Sequence, residues 1–226
     1  MKRQIITTAD GSKTIQIEDW NEQYHSIHGA IQEAQHVFIN TGFNFLLKAF
    51  NAKEISILEI GFGTGLNAYL THLNAEKNTC KVDYVGVEAY PVSEFEIKKL
   101  NYTALIESKT NSQKFDDLHR CSWEKKHKLS SYFQLTKRQL KFENLEFNER
   151  FNLIYFDAFG ARVQPELWTS EIFQIMYQAL KFNGVLVTYS AKGSVRRAMQ
   201  TVGFTVERLP GPPGKREMLR ATKHSM

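Results

Sequence analysis

The chain has 226 residues, 42% of them hydrophobic and 23% charged, enough for one sizeable core and too apolar for a disordered or fibrous protein. No run approaches the roughly eighteen apolar residues of a membrane span, and Met1-Lys2-Arg3 leads into Gln4, Thr7, Thr8 and Asp10 rather than an apolar signal core, so no membrane is expected and the cytoplasm is the default. A net charge of +5 is compatible with nucleic acid without requiring it, and Cys80 and Cys121 have neither zinc-site spacing nor disulfide density, so both are read as free thiols with no metal.

Residues 4–8 and 13–18 alternate polar with β-branched residues around Asp10-Gly11-Ser12, the pattern of a β-hairpin. From 30 to 50, Ile31, Ala34, Val37, Phe38, Phe45, Leu46 and Phe50 recur at mostly helical spacing, with a break expected near Thr41-Gly42. Residues 1–50 are therefore read as a hairpin and helical extension packed on a core of residues 51–226. Within that core, strand 55–60, helix 66–77, strand 82–88 and helix 93–106 follow in turn. The stretch 107–150 is polar and basic, with one strand near 132–135. Order returns with strand 151–156, helix 165–182, strand 185–189 after Asn183-Gly184, helix 194–202, strand 204–209, the turn 210–214 and a closing strand 217–221. Apolar strands joined by crossover helices make a parallel sheet covered on both faces, so the fold class is α/β.

Positive charge gathers at Lys125-Lys126-His127-Lys128, at Lys137-Arg138 with Lys141, at Arg196-Arg197, and at Lys215-Arg216 with Arg220. Taken singly, each reads as a solvated face.

The most informative stretch is Ile57-Leu58-Glu59-Ile60-Gly61-Phe62-Gly63-Thr64-Gly65-Leu66-Asn67. An apolar strand, an acid near its end, three alternating glycines and a helix let bare backbone approach a ligand and turn sharply. A dinucleotide site needs its third glycine one position later, where Leu66 stands. The G-x-G-x-G form preceded by Glu59 resembles instead the motif that binds S-adenosylmethionine. Glu88 ends the next strand, where a carboxylate can accept hydrogen bonds from both ribose hydroxyls. The cofactor-binding set is thus Glu59, Gly61, Phe62, Gly63, Gly65, Asn67 and Glu88. The fold this implies is a Rossmann-like class I methyltransferase, with seven mostly parallel strands and a terminal antiparallel hairpin.

A second buried strand, Leu153-Ile154-Tyr155-Phe156, ends in Asp157-Ala158-Phe159-Gly160 at the sheet edge where open α/β folds hold ligands. Alone, Asp157 would cap a turn and Phe159 would join the core. After it come Gln164-Pro165-Glu166-Leu167-Trp168-Thr169, Thr188-Tyr189-Ser190-Ala191, Val195-Arg196-Arg197, Gly203-Phe204 and Gly214-Lys215-Arg216-Glu217-Met218-Leu219. With the glycine loop and Tyr24-His25-Ser26 before His36-Val37-Phe38-Ile39, this ordered set resembles the methyltransferase domain of the MnmC family, which completes 5-methylaminomethyl-2-thiouridine in tRNA.

The resemblance implies that Asp157 lies near the reacting amine and Phe159 near the uracil, with tRNA as substrate and a monomer as the expected state. In many bacteria this domain is fused to a flavin-dependent oxidase; this sequence shows no second nucleotide site. It therefore resembles the freestanding form, expected to use no flavin and to take its aminomethyl uridine from a separate enzyme. Leu135-Thr136-Lys137-Arg138 departs from the family's Gly-Asp pair, and Gly160-Ala161-Arg162-Val163 from its Ala-Pro-x-Lys; residues 107–131 match nothing. Arg196, Arg197, Lys215 and Arg216 are the expected phosphate contacts, and Phe159 or Tyr24 the expected stacking faces. Two rival readings share the loop and the acid: transfer of a methyl or aminopropyl group to a small free amine, and a non-catalytic RNA- or nucleotide-binding module.

Overall fold

A computed structural model describes residues 2–106 and 109–224. Strands β1 (Arg3–Thr7) and β2 (Lys13–Ile17) pair antiparallel with Arg3 opposite Ile17, and β3 (Glu22–Gln23) adds to β2, so the expected hairpin is a three-stranded sheet. Its turn is organised by Asp10, whose carboxylate accepts from the Thr8 hydroxyl at 2.8 Å, from the Ser12 amide at 3.0 Å and from the Gln32 amide at 3.1 Å. The last bond ties the turn to the first turn of the following helix, where orphan amides need acceptors.

That helix runs through α1 (Ala30–Ala34), a π-helical stretch (Gln35–Phe43) and α2 (Asn44–Phe50). The break expected at Thr41-Gly42 is instead a run of wide turns. Gly42 is there for close approach: a Cβ on it would lie 3.1 Å from Val187 and 3.2 Å from Tyr155 on the sheet below. Ala30, Ala34, Val37, Phe38, Ile39, Phe43 and Leu46 belong to the same buried cluster as Ile57, Tyr84 and Leu153. The helical part of the extension is thus one covering layer of the core.

The main sheet contains β4 (Glu54–Ile60), β5 (Lys81–Val87), β6 (Lys126–Lys128), β7 (Phe133–Arg138), β8 (Phe151–Phe156), β9 (Leu180–Thr188), β10 (Thr205–Pro210) and β11 (Glu217–Thr222), in the order β10-β11-β9-β8-β4-β5-β7-β6. Five central strands are parallel; β11 runs antiparallel to β9 and to β10, closing the sheet with the expected hairpin. Short β6, antiparallel to β7, is an edge strand beyond the seven expected. One face is covered by residues 30–50, α3 (Leu66–Lys77) and the helices that follow β5, and the other by α7 (Ser170–Ala179) and α8 (Gly193–Thr201).

Two elements differ from expectation for identifiable reasons. Residues 93–106 form two short helices, α4 (Glu94–Ile97) and α5 (Tyr102–Leu105), rather than one. Asn101 between them accepts from the Lys13 amide at 2.8 Å and donates to the Gly11 carbonyl at 3.0 Å, serving the N-terminal sheet. Residues 165–182 divide into a single turn (Pro165–Trp168), α7 and the start of β9. Phe151 faces Leu180 while Leu153 faces Val185, so Asn183-Gly184 is a bulge inside the strand instead of a turn before it. Glu107 and Ser108, at the head of the stretch that matched nothing, lie outside the described residues; beyond them, α6 (Lys109–Arg120) packs against α3 and α5.

From β4 the chain builds outward through β5 and β7, then returns to place β8 on the other side of β4. The carboxyl ends of β4 and β8 therefore flank the topological switch point, where a doubly wound sheet opens a crevice for ligands.

Candidate active site

At the end of β4 the chain turns through Gly61, Gly63 and Gly65, all with positive φ, of +88°, +48° and +73°. A side chain at Gly61 would meet the Asp157 carbonyl oxygen at 2.6 Å and one at Gly63 would meet the Tyr24 ring at 3.0 Å, so two walls of the crevice converge on bare backbone. The loop is pinned from below: the Gly61 and Phe62 amides both donate to the Val87 carbonyl, at 3.0 and 2.9 Å, and the Phe62 ring packs onto Gly86. The Glu88 carboxylate accepts from the Gly63 amide at 3.1 Å and the Tyr90 amide at 3.0 Å. Each oxygen keeps a second lone pair for a ligand hydroxyl.

Above the loop lies a cavity of about 400 Å³, in the size range of sites for small molecules and nucleosides. Asp157 stands opposite the glycines. Its amide extends β4–β8 pairing by donating to the Ile60 carbonyl at 2.9 Å, and its carboxyl accepts from the Asn67 amide at 2.8 Å. Burial pushes the Asp157 carboxyl up to about 8; nearby Glu33 pushes the same way, against the Asn67 hydrogen bond and the Lys215 charge. Asp157 as a residue is half-buried and lines the cavity.

The roof comes from far away in sequence. Phe159 meets Tyr24 edge-on at 4.9 Å and Trp20 at 5.7 Å between ring centroids. Arg162 holds this cover down, donating to the Trp20 and Asn21 carbonyls at 3.0 and 3.2 Å and pairing with Glu22 at 2.6 Å. From the terminal hairpin, Lys215 reaches in to pair with buried Glu33 at 2.6 Å and lies 3.8 Å above the Tyr189 ring. His25 also lines the cavity; burial lowers it to about 4, so it is neutral beside the Thr14 hydroxyl at 3.2 Å.

Of the residues singled out in sequence, Gly61, Phe62, Gly63, Asn67, Glu88, Asp157, Phe159, Tyr24 and Lys215 line this one cavity. Glu59 and Gly65 sit behind its wall: Glu59 is wholly buried and accepts from the Asn67 amide at 2.9 Å, while a side chain on Gly65 would meet His119. Arg197 and Arg216 are exposed and Arg196 half-buried, all outside the lining. Lys137 was read as part of a surface basic cluster and is instead buried, donating to the His119 carbonyl at 2.9 Å and lying 5.2 Å above the Trp123 ring. Sequence reasoning missed Glu33, Trp20 and Arg162. Only Arg162 left a signal, as a departure from the family pattern. Among the described residues no group of three or more His, Cys, Asp or Glu is arranged to hold a metal.

A crevice at the switch point, bare glycines opposite a carboxylate and a second carboxylate at the end of the adjacent strand form the candidate ligand site of a doubly wound α/β protein. Residues 108–224 match the family described as S-adenosyl-L-methionine-dependent methyltransferase, and the chain belongs to it. The chain is 27% identical to the tRNA 5-methylaminomethyl-2-thiouridine biosynthesis bifunctional protein MnmC of Hydrogenovibrio crunogenus over 96% of its own length, but spans only 33% of that protein. The crystal structure of MNMC2 from Aquifex aeolicus superposes with a TM-score of 0.78 at 27% identity, covering 99% of this chain and 71% of that one. Spermidine synthase from Thermotoga maritima shares the fold alone, with a TM-score of 0.55 at 13% identity.

S-adenosylmethionine is therefore the co-substrate, and the cavity fits it. Gly61 and Gly63 line it without side chains, and Glu88, also in the lining, has acceptor capacity for a ribose.

Proposed function

We propose that this chain is an N-methyltransferase that converts 5-aminomethyl-(2-thio)uridine at the wobble position of tRNA to the 5-methylaminomethyl form. The observation that carries the reading is Asp157, a cavity-facing carboxyl set directly across from the glycine loop. S-adenosylmethionine supplies a methyl carbon made electrophilic by its sulfonium. The protein must present an unprotonated amine to that carbon at about 3 to 3.5 Å.

An alkylamine is mostly protonated at neutral pH, by analogy with lysine near ~10, and an ordinary carboxylate near ~4 is a poor acceptor for its proton. Burial brings Asp157 to about 8, which narrows that mismatch to roughly two pH units. Once ionised, Asp157 attracts the ammonium, orients it and can take its proton. Tyr24 and Phe159 offer ring faces to a uracil turned out of the anticodon loop. Arg196 and Arg197 lie on α8, just after the carboxyl end of β9, and Arg216 lies on the terminal hairpin. These sites outside the cavity suit phosphate contacts. In this reading the chain acts as a monomer, uses neither flavin nor metal, and takes its amine from a separate activity that uncovers it.

The test is isotope-labelled S-adenosylmethionine offered with undermodified tRNA and, separately, with polyamines. Label recovered in 5-methylaminomethyl uridine is expected. Label in polyamines, or in neither, would replace this reading with transfer to a small amine or with a binding module.

A further inference from the structure

Resting on the reading of Asp157 as the group that meets the acceptor amine, we propose that Asn67 is its positioning residue. Clamped from behind by Glu59, the Asn67 amide fixes the Asp157 carboxyl across the switch-point crevice in the orientation that faces the cavity.

The geometry is unusual for a helix residue. Asn67 lies in the first turn of α3 and is almost wholly buried, and its single Nδ2 donates to Glu59 Oε1 at 2.9 Å and to Asp157 Oδ2 at 2.8 Å. An amide nitrogen has two protons, so both are committed. With Asp157 ionised, exchanging the amide nitrogen and oxygen would set a carbonyl against a carboxylate, so the ionised Asp157 fixes the amide with its nitrogen toward it, and that bond in turn decides which way Asp157 points.

The acids it joins come from different strands, Glu59 from β4 and Asp157 from the end of β8, and two carboxyls this close resist double ionisation. Glu59 is the one that gives way. Burial pushes it well above the ordinary range, reinforced by Asp157 and Glu88 and opposed only by the Tyr84 hydroxyl and Asn67. A neutral Glu59 anchors Asn67 while the charge falls on Asp157, which opens on the cavity. The other groups facing Asp157 are Glu33 from α1, Lys215 from the terminal hairpin, Tyr84 from β5 and Tyr189 just after β9. Asn67 and Lys215 favour its ionised form and Glu33 opposes it.

Removing the Asn67 amide should therefore both loosen Asp157 and raise the pH at which it ionises. The test uses Asn67→Leu, with Asn67→Ala should the larger side chain prevent folding. Asp157 is titrated without substrate by carboxyl carbon NMR, with Asp157→Asn assigning the resonance. The expected midpoint rises from about 8 by about half a pH unit or more. Turnover on undermodified tRNA should fall about tenfold. A second pair reads the same clamp without touching position 67: Glu59→Leu should mimic the loss and Glu59→Gln should restore turnover. An Asp157 midpoint that stays in place in a folded Asn67 variant, or a Glu59→Leu no worse than Glu59→Gln, would overturn the positioning role. If Asp157→Asn itself methylated normally, the proposed function would fail instead, so the two failures are distinguishable.

Discussion

The two walls of the cavity are built differently. The glycine wall is local: residues 59–67 and 88 are held by backbone bonds to Val87 and by one carboxylate. The opposite wall, which the proposed function gives to the acceptor, is assembled from four distant places: the end of β8, the N-terminal sheet, α1 and the tip of the terminal hairpin. They are joined by Arg162 to Glu22, Lys215 to Glu33, and Phe159 to Tyr24. A local wall keeps its shape whatever happens at the rim, whereas a composite wall can be loosened one tie at a time. Cofactor binding and acceptor binding should therefore be separable by mutation.

The largest effect should follow from filling the glycine wall. Gly61→Val places branched carbons against the Asp157 carbonyl in a backbone region that β-branched residues avoid. Calorimetry should show S-adenosylmethionine affinity falling by about a hundredfold or more, some 2.7 kcal/mol, with methylation lost alongside. Retained affinity would mean the cofactor lies elsewhere.

Next in size is Asp157→Asn, expected to lower turnover at least about tenfold with little change in cofactor affinity. In the wild type kcat/KM should rise with pH through about 8, as Asp157 ionises, and the variant should lose that step. The same shift has a signed effect on stability. An acid whose folded value lies near 8 rather than 3.8 holds a proton that the unfolded chain has released. Its contribution is complete below the unfolded value and declines as pH rises through the folded one. Asparagine has no such penalty, so the variant should gain thermal stability over wild type between about pH 5 and 9, by roughly 2–4 °C for each ~1 kcal/mol relieved. A constant difference across that range would show that Asp157 ionises normally.

The same contrast between walls explains what the sequence disclosed. The turn through Gly61, Gly63 and Gly65 was legible because it is one contiguous stretch, Glu88 because it ends the next strand, and the order of strands and helices followed from apolar runs separated by turns. Asp157 and Phe159 were legible only through the resemblance, since an acid and an aromatic after a strand are ordinary. Glu33 was hidden: a glutamate in a helix reads as solvent-facing, and the partner of its buried carboxylate, Lys215, is 182 positions away. Lys137 was misjudged because a basic pair at a strand end resembles a solvated edge, while α6 and the Phe62 ring bury it. Asn101 interrupts what periodicity reads as one helix because its partners are in the N-terminal turn.

Smaller effects should come from the rim. Arg162→Ala removes three bonds to the N-terminal cover and should raise KM for tRNA a few-fold, leaving S-adenosylmethionine affinity within about twofold; exposed pairs of this kind contribute about 0.2–1 kcal/mol each. A matching loss of cofactor affinity would erase the distinction between walls. The smallest effect should come from outside the cavity, with Arg196→Ala and Arg197→Ala combined. It should weaken tRNA binding evenly across sequences and reduce the salt slope by about 1 for each phosphate no longer neutralised. An unchanged slope would remove these two from the interface.

Both walls meet in one geometric claim, that the transferable carbon faces Asp157 across the glycine loop. A crystal structure with S-adenosylhomocysteine tests it most directly. The ribose hydroxyls should be on Glu88, the homocysteine part along Gly61–Gly65, and the sulfur turned toward the Asp157 carboxyl. A sulfur pointing away from Asp157, or a ligand bound outside this crevice, would contradict the account.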